Sequence, residues 1–158
     1  GAGNDRMHYQ DAGAHAVLDF TDFGYATTFR TRFDDIRALT VNMVNALADT
    51  GADTVIVEIA DGIYQRETTM LLRDPVFHGT VDAVVFASSD ALGARAGVAE
   101  LVDAGLPVLA ASGIMTRSPL ATVEAREVLA QYGVPVVASY DLTDPERAMT
   151  VAKLDTAS

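Results

Sequence analysis

Thr54-Val55-Ile56-Val57-Glu58-Ile59-Ala60-Asp61-Gly62 decides how this chain is read. Its apolar residues stand on consecutive positions, not alternate ones. That pattern marks a strand covered on both faces, as in a parallel sheet. Gly51 precedes the run, and a glycine after a helix takes the left-handed position without a Cβ penalty. The same order recurs along the chain. Gly13 precedes Ala16-Val17-Leu18-Asp19-Phe20, and Gly79 precedes Ala83-Val84-Val85-Phe86-Ala87. Gly105 precedes Val108-Leu109-Ala110-Ala111, and Gly133 precedes Val136-Val137-Ala138.

Segments with helical spacing lie between these runs. Asp34-Asp35 opens one, with Ile36, Leu39, Met43 and Leu47 on its apolar face. Asp90 can cap the next. Ser118-Pro119 opens another, with serine at the cap and proline in the first turn, and Thr143 or Asp144 before Pro145 opens the last. A shorter helix fits 65–72, and an extra one fits 4–11. Strand and helix alternating through short connections imply right-handed βαβ units. The expectation is an α/β fold: a three-layer Rossmann-like mostly parallel sheet of about five strands, with helices on both faces, as a single domain over residues 1–158.

In such a sheet, ligands sit outside the carboxyl ends of the strands. The loops at those ends are 19–25, 58–66, 88–93, 112–118 and 139–143, each rich in Asp, Glu, Ser, Thr or Gly. Glu58 and Asp61 are two carboxylates delivered by an apolar strand into a glycine turn, a pattern that can hold Mg²⁺. The plain alternative is an ordinary Asp-Gly turn beside a solvated strand end. Asp19 and Asp22 flank Thr21, with Phe20, Phe23 and Tyr25 interleaved; a metal or phosphate site competes there with a capping Asp and an apolar plug. Ser88-Ser89-Asp90 reads first as a helix cap, whose helix start could also receive an anion. Ser112, Thr116 and Arg117 form a similar loop.

Composition narrows the chemistry. The 158 residues contain no cysteine, which excludes disulfides, thiolate metal sites and a cysteine nucleophile. A cytoplasmic setting is expected. The formal net charge of -11 disfavours nucleic acid and anionic membranes as partners. No apolar run reaches the roughly 18 residues of a membrane span. Lys153 is the sole lysine, so no Gly-Lys-Ser/Thr phosphate loop is present. His8, His15 and His78 lack metal-ligand spacing, and no Gly-x-Ser-x-Gly elbow occurs.

The stretch 54–62 resembles the second acidic motif of P-loop NTPases. More narrowly it is similar to the branch containing dethiobiotin synthetase and cobyrinic acid diamide synthase, where a strand ends in Glu within a short Gly-rich turn. Asp19-Phe20-Thr21-Asp22 sits where that branch carries an acidic residue after its second strand. Phe86-Ala87-Ser88-Ser89-Asp90-Ala91-Leu92-Gly93-Ala94 falls where its next strand leads into a helix near the nucleotide. The resemblance spans roughly residues 4–137. It implies that Glu58 is the Mg²⁺-associated acid, with Asp19 as a further metal ligand and Asp19 or Asp22 orienting metal or substrate. It implies that Asp61 and Arg66 face a substrate group, and that Ser88, Asp90, Ser112 and Thr116, with Arg66, hold a nucleotide. Glu58, Asp61 and Asp22 would then be the catalytic set, and ATP-driven ligation the reaction class.

This chain lacks the branch's phosphate loop, so it resembles the portion that follows that loop, and ATP chemistry would need a loop supplied upstream. A sheet without its central strand carries unpaired backbone groups. Such a domain should rearrange, pair with another chain, or be a variant that never had the strand. Three functions are therefore expected to compete: nucleotide or phosphorylated-ligand binding with Mg²⁺, regulatory binding of a small metabolite, and assembly with another subunit, including a homo-oligomer.

Overall fold

The computed structural model describes residues 3–60 and 62–152. It is α/β but mostly helical. The chain divides into two compact units, Gly1–Thr80 and Val81–Ser158.

The second unit is built on a βαβ crossover. Strand β1 (Val84–Ala87) leads through helix α5 (Ala91–Asp103) to strand β2 (Val108–Ser112). The two strands pair in parallel, with Val84 opposite Val108 and Ala87 opposite Ser112. Asp90 starts α5 by accepting the Gly93 amide at 2.7 Å, as its position before an apolar helix predicts. Helix α6 (Pro119–Leu129) starts at Ser118, and helix α7 (Pro145–Ala152) follows Asp144, whose carboxylate accepts the Arg147 amide at 3.1 Å. Val136 adds an isolated parallel bridge to Ala111, carried by Ala111 N–H to Pro135 and Val137 N–H to Ala111, both 2.9 Å.

The core of this unit joins α5, α6 and β2. Ala94, Val98, Ala111, Met115, Ala125 and Leu129 are buried there. Val98, Met115 and Leu129 are the largest of its fully buried side chains, and each such burial stabilises by about 1.5–3 kcal/mol. Gly97 is a close-approach glycine: a Cβ there would lie 2.1 Å from the Phe86 ring, so α5 sits flat on β1 because residue 97 has no side chain.

The first unit is helical. Helix α1 (Gly3–Asp11) precedes a 3-10 turn (Phe20–Phe23), and helices α2 (Phe33–Ala48), α3 (Arg66–Leu72) and α4 (Pro75–His78) follow. Ile36 and Leu39 of α2 are buried, as are Leu71 and Leu72 of α3 and Phe77 of α4. Asp74 ties α2 to α4. Its carboxylate accepts the Val76 and Phe77 amides at 2.9 and 3.2 Å, and the Arg37 guanidinium from Nε at 2.8 Å and from Nη2 at 2.5 Å.

The Arg37 guanidinium, more than the two cap amides, holds the Asp74 carboxyl below its ordinary range. A depressed folded value means that the carboxylate contributes stability above the ordinary value of 3.8, and that this contribution is lost as pH falls through the folded value. Asp74→Ala is therefore expected to lower the thermal midpoint at pH 7 and to flatten the acid side of the stability–pH curve. Circular dichroism melts between pH 2 and 7 check both outcomes. A variant curve parallel to the parent's down to pH 2 would contradict this role.

The expected three-layer Rossmann-like sheet of five strands is not formed. Two strands form a sheet, and a third run, at 136, contributes a single bridge. In the first unit, 54–59 forms no strand: no backbone hydrogen bond is made by residues 52–60 among the described residues. The run at 16–20 turns into the 3-10 helix at Phe20, because Asp19 and Asp22 form a reciprocal capping box and Gly24 closes the turn at φ 83°. A strand exists by virtue of a neighbour, and these two runs have none among the described residues. The reading of double-face cover fails likewise. Within β2 the residues from Ala110 to Ser112 are buried, whereas Val85 of β1 is exposed. Ile56 is 86% exposed.

Candidate functional site

The predicted site residues fall into both units: Asp19, Asp22, Glu58 and Arg66 in the first, and Ser88, Asp90, Ser112 and Thr116 in the second. Asp61 lies outside the described residues.

In the second unit, Ser88, Ser112 and Thr116 come together at the ends of β1 and β2, and with them Ser139. The Ser88 amide donates to the Ser112 carbonyl at 2.9 Å. The Ser139 hydroxyl stands 3.3 Å from that of Ser112 and 3.2 Å from that of Thr116, and accepts the Gly113 amide at 3.2 Å. The Ser139 amide donates to Thr116 Oγ1 at 3.0 Å. These groups satisfy one another and latch the ends of β1, β2 and the 136–138 run. Asp90 is occupied as a cap; the Gly93 amide first, then the Ser89 hydroxyl, hold its carboxyl below the usual range.

In the first unit the 3-10 turn engages both aspartates. Asp19 Oδ1 accepts the Thr21 amide at 2.7 Å and the Thr21 hydroxyl at 2.5 Å, and that hydroxyl is the main cause of its lowered pKa. Asp22 Oδ2 accepts the Asp19 amide at 2.9 Å and pairs with Arg6. Arg66 is exposed in the first turn of α3.

Asp19 and Glu58 share a groove of about 510 Å³. Its floor is apolar, with Leu18, Ile36, Leu39, Met43 and Val57, and Asp5 and Glu67 join the two carboxylates along it. Asp22 and Arg66 do not line it. Among the described residues no cluster of three or more His, Cys, Asp or Glu could hold a metal ion. The donors at hand for Mg²⁺ are thus Asp19, whose Oδ1 is taken by Thr21, and Glu58, which accepts from Tyr9.

Tyr9 is a site residue that local reading misses. It lies on α1, lines the groove, and donates its hydroxyl to Glu58. Forty-nine positions separate the pair, so no spacing rule joins them. That hydrogen bond, more than desolvation, pushes the Tyr9 phenol up to about 12 from 10.0. A raised folded pKa means the contact is complete below the ordinary phenol value and is lost as pH rises through the folded value. Glu58→Gln is therefore expected to return Tyr9 toward 10, read from its ring carbon shifts by NMR. An unchanged titration would show that the pair does not form.

Among the described residues no helix is long and apolar enough to cross a membrane. Comparison with protein-family models, with curated proteins and with solved structures finds no match to this chain.

Proposed function

We propose that the chain is an assembly module, whose first unit receives an extended segment of a different polypeptide in its groove. One observation carries this reading. Residues 52–60 form no helix, no strand and no backbone hydrogen bond among the described residues, and apolar side chains in the run stay in water: Ile56 at 86%, Val57 at 44% and Ile59 at 37% exposure. An open row of N–H and C=O groups beside exposed β-branched side chains is a template for β-augmentation.

Val57 and Ile59 are already more than half covered, so burying what stays exposed of the three side chains would gain roughly 2–5 kcal/mol before costs. Losing the partner's free motion takes about 4 kcal/mol or more. About four ladder hydrogen bonds would add roughly 4 kcal/mol, so a short peptide should bind with about millimolar affinity. Self-assembly is opposed by the charge of -11 that each copy carries.

The test is fluorescence anisotropy with an eight-residue peptide alternating valine and threonine and ending in serine. Saturable binding is expected, and a peptide with proline at alternate positions should not bind. No binding at tens of millimolar peptide overturns the reading. Sedimentation at two concentrations tests the alternative occupant: a dimer at micromolar concentration would replace the foreign segment with a second copy.

A phosphorylated ligand with Mg²⁺ is a second reading, favoured by Asp19 and Glu58 lining one groove. Calorimetry with millimolar ATP and Mg²⁺ tests it, and no heat of binding would remove it.

A further inference from the structure

Resting on the docking reading above, we infer that the segment received by the groove carries a basic side chain where it meets Asp19 and Glu58. The groove is unbalanced in charge. The carboxylates of Asp5, Asp19, Glu58 and Glu67 line it against the Arg6 guanidinium, which pairs with Asp22 and also acts on Asp19, and the His15 ring.

The carboxylates sit in positions a docked strand would meet. Glu58 belongs to the unpaired run itself. Asp19 lies in the 16–20 run, in extended backbone at the cap of the Phe20–Phe23 turn. Glu58 accepts one hydrogen bond from Tyr9, and a carboxylate has room for about four. A lysine or arginine head could reach these oxygens while its methylene stem covers the apolar floor. A glutamate in the same place would meet like charge from each of them. Exposed pairs of this kind select partners more than they add affinity.

Three peptides separate the outcomes: the valine–threonine octamer ending in two lysines, in two serines, or in two glutamates. At low salt the lysine form is expected to bind about tenfold tighter than the glutamate form. The gap should close toward unity near 0.5 M salt, where screening shortens the reach of charge to a few ångström. In the double variant Asp19→Asn, Glu58→Gln, both near-isosteric, the ratio should fall to within about twofold at low salt. Equal affinity of the lysine and glutamate forms for the parent chain overturns the inference and leaves docking standing. A tenfold preference that survives in the double variant overturns the assignment to Asp19 and Glu58. Failure of all three peptides to bind overturns the docking reading itself.

Discussion

Replacing Gly113 with alanine is expected to cost the Val81–Ser158 unit about 3 kcal/mol or more. Two independent strains meet at this residue. Its backbone stands at φ 111° and ψ -163°, a region open in practice to glycine, and forcing a side-chain residue into it costs roughly 1–3 kcal/mol. A Cβ at 113 would also lie 2.4 Å from the Ser88 carbonyl oxygen and 2.7 Å from the Ser88 nitrogen. Those are backbone atoms of the segment leaving β1, and they cannot swing aside as the end of a side chain would. Relieving the overlap would break the Ser88–Ser112 hydrogen bond and pull Gly113 from Ser139; such overpacking costs about 1–3 kcal/mol more. Gly133→Ala is the control. Gly133 also has a positive φ, 66°, but a Cβ there meets nothing within 4 Å, so about 1 kcal/mol is expected. Urea midpoints measured by circular dichroism should rank the parent first, then Gly133→Ala, with Gly113→Ala well below. Equal losses in the two variants would contradict the close packing of the latch.

Proline at position 56 or 57 should barely change the melting of the chain yet abolish strand docking in one of the two cases. In a strand that is already paired, proline removes a ladder hydrogen bond and crowds its neighbour. Residues 56 and 57 have no such bond to lose among the described residues, and both side chains are exposed, so stability should stay within about 0.5 kcal/mol of the parent. Successive N–H groups along a strand point to opposite edges. One of Ile56→Pro and Val57→Pro must therefore strip the edge that a docked peptide uses. That variant should bind the valine–threonine peptide at least tenfold more weakly, and the other less so. A melting loss of several kcal/mol in either variant would mean that the run is paired within the chain.

Local chemistry was legible in the sequence wherever the physical rule acts over a few residues. Asp90, Ser118 before Pro119, and Asp144 before Pro145 start helices as their positions predict, because a cap needs only amides two or three residues away. The parallel pairing of β1 with β2 follows from the crossover helix between them. Pairing across distance was not legible. Consecutive apolar residues look alike in β2, where Ala110 and Ala111 are buried, and at 54–59, where Ile56, Val57 and Ile59 are exposed, because a partner strand leaves no mark on the residues it covers. The five-strand sheet failed on that point.

The candidate site divides along the same line. Ser88, Ser112 and Thr116 meet because they end neighbouring runs, but Ser139, which locks them, lies 27 positions beyond Ser112. Asp19 and Glu58 share a groove although neither of their runs is a strand. The Tyr9 contact to Glu58, and that of Arg37 to Asp74 across 37 positions, depend on how helices pack, which no spacing encodes.

Amide hydrogen exchange across residues 52–60 tests the unpaired strand most directly. In the chain alone these amides should exchange near the rate of an unstructured peptide, while those of α5 are protected. Saturating valine–threonine peptide should slow alternate amides in the run by about a hundredfold. Strong protection of 52–60 before any peptide is added would show that the run already has a partner, and would contradict the account.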